Sequence, residues 1–273
     1  MPQNQPSNSA LRTYNSFHRK QLEKAMGLHS QLAQFLWPHS LSANRLFDDF
    51  NGEVIDLNLW SVPTGGAGGT IFAQRVADVE GTMIRGSTGT TDNTTVAIHS
   101  AANWFGDRNC MLETRFKLDV VTSLVLEVGF TDPLTDEGLT ILSDIDTPTI
   151  ANGATDVAIV CMDTDQTLIT MAFVTEGSTA SMVPTKTDLG TRVPVAATWM
   201  TIRVGIIDNA AFCQVFDSDD PQNLVLLEEA YHGDAVASQT EGGVAMEPHI
   251  LIGTRNTTAK VMDIDYILLV QDR

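Results

Sequence analysis

Chemistry in this chain would have to come from its carboxylates, since 34 Asp and Glu stand against 16 Lys and Arg. Two carboxylates on one face of a strand can serve as acid and base, or as acid and nucleophile. Glu113 lies in the alternating run Met111–Leu118, but its neighbours on the same side are Arg115 and Lys117. That company makes it a partner in ion pairing. Glu127 stands by itself in LVLEVGF. Asp163 and Asp165 lie two apart in MDTDQT, which reads as a hairpin turn because Asp favours such loops. Asp263 and Asp265 alternate on one side of MDIDY, where a solvated outer face or pairing with nearby Arg accounts for them. The sequence therefore assigns no catalytic residue.

Metal and cofactor chemistry fares no better by spacing. Asp217-Ser218-Asp219-Asp220 is acidic enough for calcium but lacks the spacing of a calcium loop, and an exposed acidic turn explains it. Six histidines (His18, His29, His39, His99, His232, His249) are scattered, with no HxH or HExxH. Cys110, Cys161 and Cys213 show no CxxC spacing and read as buried free thiols. The glycine-rich stretch at residues 64–70 is a turn, because no Lys-Ser or Lys-Thr follows it. No metal and no cofactor is assigned. For aromatic contacts with a ligand the candidates are Trp60, Trp104, Phe105 and Trp199. Trp199 opens a strand and reads as core. Trp104 and Phe105, between Asn103 and Gly106-Asp107, read first as core or subunit contact, with ligand binding at an exposed tip as the alternative.

The elements that would position these groups are strands. Alternation at a period of two runs through Met111–Leu118, and a more continuously apolar run follows at 123–130; together they read as a long hairpin inside an antiparallel sandwich. Further strands are expected at 70–76, 82–85, 95–99, 156–163, 168–175, 199–207, 211–215, 225–227, 250–254 and 261–270. Turn signals punctuate them, including one at 176–188. The fold class is an all-β antiparallel sandwich. Ahead of it, residues 11–37 change to a helical period, with Leu22, Met26, Leu32, Phe35 and Trp37 as its contact residues. The expected division is an arm at 1–45 and a β domain at 46–273. Charge divides the same way: about +4 over residues 1–46 and −22 over the rest. Such an acidic body argues against nucleic acid. No run is long and apolar enough for a membrane span or a secretory signal, so synthesis in a cytoplasm is expected.

Three separated pieces carry a family likeness. Leu46-Phe47-Asp48-Asp49-Phe50-Asn51-Gly52, with Ile55-Asp56 and Trp60, resembles the opening of concanavalin A-like lectin/glucanase jelly rolls. Thr198-Trp199-Met200-Thr201-Ile202-Arg203-Val204 resembles an internal strand of such domains. Val261-Met262-Asp263-Ile264-Asp265-Tyr266-Ile267 resembles their final strand. Within that group the chain is most similar to jelly-roll structural proteins of tailed bacteriophage virions, on Asn103-Trp104-Phe105, on Glu113 to Asp119, and on Val128 to Asp132. The resemblance implies a non-enzymatic virion protein that decorates or cements a capsid. Its partners would be the major capsid protein and copies of itself, as a homotrimer anchored by the arm. The glycosidases of this fold bear E-x-D-x-(x)-E on one strand, and this sequence departs from that pattern. A carbohydrate-binding, lectin-like module contacting surface glycans is the alternative reading, and a glycoside hydrolase the third.

Overall fold

The computed structural model describes residues 43–50, 54–74, 83–142, 149–163, 166–174, 185–188, 195–207, 210–220, 223–232 and 244–272. The helix expected at 11–37, with Leu22, Met26, Leu32, Phe35 and Trp37, lies outside the described residues.

Two antiparallel sheets face each other. The first runs in the order β15 (Val225–His232), β14 (Ala210–Asp217), β13 (Trp199–Ile207), β8 (Met111–Leu118), β17 (Val261–Asp272), β5 (Ile84–Ser87), β4 (Thr70–Gln74). The opening strand β1 (Ala43–Asp48) lies along the C-terminal half of β17, from Asp48 opposite Ile267 to Ala43 opposite Asp272. The second sheet runs β12 (Thr185–Asp188), β11 (Gln166–Val174), β10 (Val157–Asp163), β9 (Leu124–Thr131), β16 (Ala245–Thr254), β6 (Thr95–Ser100), β2 (Trp60–Ser61). Two short strands attach to it: β3 (Thr64–Gly65) on β6 and β7 (Trp104–Phe105) on β16.

The sequence alternation becomes the core. Leu112, Phe116 and Leu118 of β8 and Ile202, Val204 and Ile206 of β13 point inward, toward Leu126, Val128 and Phe130 of β9 and Ile250 and Ile252 of β16. Each such side chain, fully withdrawn from water, contributes roughly 1.5–3 kcal/mol.

One expectation is corrected. Residues 111–130 do not form a hairpin, because β8 pairs with β13 and β17 whereas β9 pairs with β10 and β16. After Asp119, whose carboxylate accepts the Val261 amide at 2.7 Å, the chain crosses from one sheet to the other. The apolar faces of β8 and β9 therefore meet across the core. Alternation alone fits either arrangement. Residues 185–188 are also a strand pairing with β11, within what reads in sequence as a turn.

The family-like opening has a physical basis. The Asp48 carboxylate accepts the Trp60 indole N–H at 2.8 Å and the Phe50 amide at 2.8 Å. The Phe50 and Trp60 rings lie 6.3 Å apart in the core.

The outer faces of both sheets are also occupied. On the first, Glu113 is fully buried, ion-paired with Arg203 and accepting the Tyr266 hydroxyl at 2.6 Å. On the second, residues 132–142 and 149–156 belong to an excursion between β9 and β10. Its Ile141, Leu142, Ile150 and Ala154 pack on Val157, Ile159, Cys161 and Ala172 as a smaller apolar cluster. That excursion positions the site.

Candidate functional site

The site grows from the outward face of the second sheet. Along β6, Val96 and Ile98 enter the core, so Ala97 and His99 face out. Along β16, Met246, Ile250 and Ile252 enter the core, so Glu247, His249 and Leu251 face out. Register places His249 directly opposite His99. On β9 the outward residue is Glu127. All four polar side chains are buried.

Glu127 fixes the excursion over them. Its carboxylate accepts the amide of Ile141 at 2.9 Å and of Leu142 at 2.9 Å, and His249 Nε2 lies 3.4 Å from it. Hydrogen bonds to an ionised acceptor are the stronger kind, so this carboxylate is a clasp for the loop. At the base of the excursion, the Asp132 carboxylate accepts the Thr155 amide at 2.9 Å and the Thr155 hydroxyl at 2.8 Å. In the middle, the Asp136 amide donates to Asn152 Oδ1 at 2.8 Å, and the Gly138 amide to Asp136 Oδ1 at 3.0 Å. Gly138 lies so close to β3 that a Cβ there would come within 2.7 Å of the Thr64 carbonyl carbon. Thr95 donates its hydroxyl to the Gly138 carbonyl. These contacts deliver Glu137 to the edge of β6.

There Glu137 meets His99, with Oε2 2.7 Å from Nε2. The carboxylate and the imidazole are in close polar contact there. Glu247 approaches the other nitrogen, with Oε2 3.8 Å from Nδ1. One ligand-type atom from each of the three residues lies within 4.8 Å of the others. Burial holds the His99 imidazole below its ordinary value; Glu137 pulls the other way, and His249 adds to the lowering. Burial, together with the charges of Glu137 and Asp132, pushes the Glu247 carboxyl up to about 7. Near neutral pH the cluster therefore presents a neutral imidazole beside a carboxyl that is about half protonated.

These three residues floor a cleft of about 430 Å³ whose opposite wall is the turn at residues 56–60. Asp56 builds that turn by accepting the Asn58 amide at 2.9 Å on its carboxylate and the Leu59 and Trp60 amides, each at 3.0 Å, on its carbonyl. Leu57 and Leu59 are left on the rim, 70% and 42% exposed. The arrangement offers a polar floor, an apolar rim and a mouth open to water.

The residues singled out by sequence fall elsewhere. Trp104 is 7% exposed and belongs to the core, and Phe105 is half-buried beneath the Arg108 guanidinium, 4.7 Å from its ring centroid. Trp104 therefore has no free face for a sugar, and the core role weighed for it is the one observed. Asp263 forms a bidentate pair with Arg85 at 2.6 and 2.7 Å, Asp265 pairs with Arg115 at 2.7 Å, and Asp163 with Arg255. Asp165 lies outside the described residues. In the acidic turn, Asp219 accepts the Trp199 amide at 2.7 Å and Asp217 the Asp219 amide at 3.1 Å. Trp199 is buried beneath Arg115 and Lys117, at 4.3 and 4.7 Å. Cys110, Cys161 and Cys213 are buried free thiols. The cluster that does assemble was missed because His99, Glu137 and Glu247 share no spacing. The only trace in the sequence is a polar residue interrupting the outward face of each of two apolar strands.

No protein-family model and no curated protein sequence matches the chain. Solved structures do. The exoplasmic/lumenal domain of VIP36 in its Ca²⁺-bound form is similar at 8% identity and a TM-score of 0.52, covering 84% of this chain and 90% of that one. A GH16 protein from the mixed-linkage glucan locus of Bacteroides ovatus is similar at 13% identity and 0.51, covering 81% and 98%. The CBM2 module of the evolved Dit of Lactobacillus casei BL23 phage J-1 is similar at 8% identity and 0.52, covering 85% and 96%. These likenesses establish the fold, a two-sheet antiparallel jelly-roll sandwich.

Proposed function

We propose that this protein is a non-enzymatic carbohydrate-binding jelly roll borne on a bacteriophage virion. Its sugar lies in the cleft between the turn at residues 56–60 and the floor of His99, Glu137 and Glu247. The observation that carries this reading is the cleft itself. A volume of about 430 Å³ accommodates a few sugar rings' worth of surface. Sugars present hydroxyls on their edges and C–H groups on their faces, and the cleft pairs a carboxylate floor with the exposed side chains of Leu57 and Leu59. The virion setting is supported by the resemblance of residues 113–119 and 128–132 to phage jelly rolls, and by the phage module among the structural likenesses. In that setting the arm at 1–45 holds the body to the major capsid protein or to neighbouring copies.

Hydrolysis is the second reading, favoured by one observation: Glu247, pushed up to about 7, stands beside Glu137 as an acid would beside a nucleophile. Against it, Glu247 is only 5% exposed at the back of the floor and is ill placed to reach a glycosidic oxygen. The test is an array of bacterial surface glycans probed with the full-length chain, with the bound glycans recovered and sized afterwards. Saturable binding of a glycan class that comes back intact is the expected result. Binding to no glycan overturns the carbohydrate reading, and recovery of shortened chains overturns the non-enzymatic one.

A further inference from the structure

We propose that His99, Glu137 and Glu247 bind a divalent transition-metal ion of the zinc class. The three residues supply one imidazole nitrogen and two carboxylate oxygens, each within 4.8 Å of the others. Four-coordinate zinc at metal–ligand distances of about 2.0–2.1 Å needs its ligand atoms about 3.3 Å apart. Glu137, whose side chain is 45% exposed at the tip of its loop, has the freedom to shift to that spacing from its 2.7 Å contact with His99.

Unsatisfied bonding marks the cluster as a ligand set. His99 is 3% exposed, and among the described residues its Nδ1 has no hydrogen-bond partner; Glu247 is 5% exposed, and its Oε1 has none either. Buried polar atoms left without partners are costly, and a cation bound to one ring nitrogen of His99 and to the Glu247 carboxylate would satisfy one such atom on each residue. Two carboxylates so close together repel each other, and a +2 charge between them offsets that repulsion.

The donor set selects the kind of ion. Calcium takes six to eight oxygens and magnesium a near-ideal octahedron of them, so an imidazole among three protein donors suits neither. Nitrogen with two carboxylate oxygens suits zinc and its neighbours, with water from the cleft in the remaining position.

The test is a calorimetric titration of the full-length chain, freed of metal by chelator, with ZnCl₂, CaCl₂ and MgCl₂ separately and with no sugar present. One equivalent of Zn²⁺ is expected to bind at least a hundredfold more tightly than Ca²⁺ or Mg²⁺. Glu137→Gln is expected to weaken Zn²⁺ at least tenfold, and this half-exposed position keeps the fold safe. Co²⁺ bound to the wild type should show the visible absorption of a low-coordinate site, and the variant should lose it. Absence of Zn²⁺ binding, equal affinity for Ca²⁺, or unchanged affinity in Glu137→Gln would each overturn the proposal. Because the titration contains no sugar, its failure leaves the carbohydrate reading standing, and the reverse also holds.

Discussion

At the scale of the residue, this protein spends most of its conspicuous charges on structure. Glu113, Asp163, Asp263 and Asp265 are each bound to an arginine, and Glu127 to two backbone amides. The Glu113 cluster makes a pH prediction. Tyr266 donates to the Glu113 carboxylate, and burial, with that charge beside it, raises the phenol well above its usual value. In the unfolded chain the same phenol ionises near pH 10. Above that pH the unfolded state has released the proton while the folded state still holds it, so stability falls as pH rises. Urea midpoints measured from pH 9 to 11 should drop for the wild type and drop less steeply for Tyr266→Phe. Parallel slopes would remove Tyr266 from the account.

At the scale of the element, the excursion at 132–156 carries the site, and its hold on the sheet is concentrated at Glu127. Removing that carboxylate leaves two buried amides unsatisfied, at a cost of about 1–3 kcal/mol each. Glu127→Ala should therefore keep the two sheets folded while amide exchange at Ile141 and Leu142 accelerates by at least tenfold. Unchanged exchange at those two amides would show that apolar packing alone holds the loop. Many of the strands were legible in the sequence from period-two alternation or a short apolar run between turn signals; Met111–Leu118 and Trp199–Ile207 are found with the bounds their patterns give. The partners of those strands were not legible, since alternation names the buried face and not the neighbour, and so β8 and β9 read as a hairpin. The site was hidden for a related reason. His99, Glu137 and Glu247 come from two strands and a loop, joined by the His99–His249 register and by the fold of residues 132–142 back over β9. Trp104, which has turn-forming neighbours in the sequence, lies on β7, which pairs with β16, and its indole is in the core.

At the scale of the molecule, β1 pairs with the last strand along six residues, so the sandwich is closed by the ends of its own described chain. Among the described residues, the body from Ala43 onward contains both sheets and the two larger apolar clusters. A chain lacking residues 1–38 should therefore unfold as cooperatively as the full-length protein but no longer sediment with phage heads; an unfolded product would make those residues part of the body's core. The central claim is the sugar in the cleft. Its most direct test is a calorimetric titration of the best glycan from the array against wild type and Leu57→Asp, a rim change at a position 70% exposed. The account predicts a loss of at least tenfold in affinity with no change in melting temperature. Equal affinity in the two proteins would contradict it, because the sugar would then be bound somewhere other than this cleft.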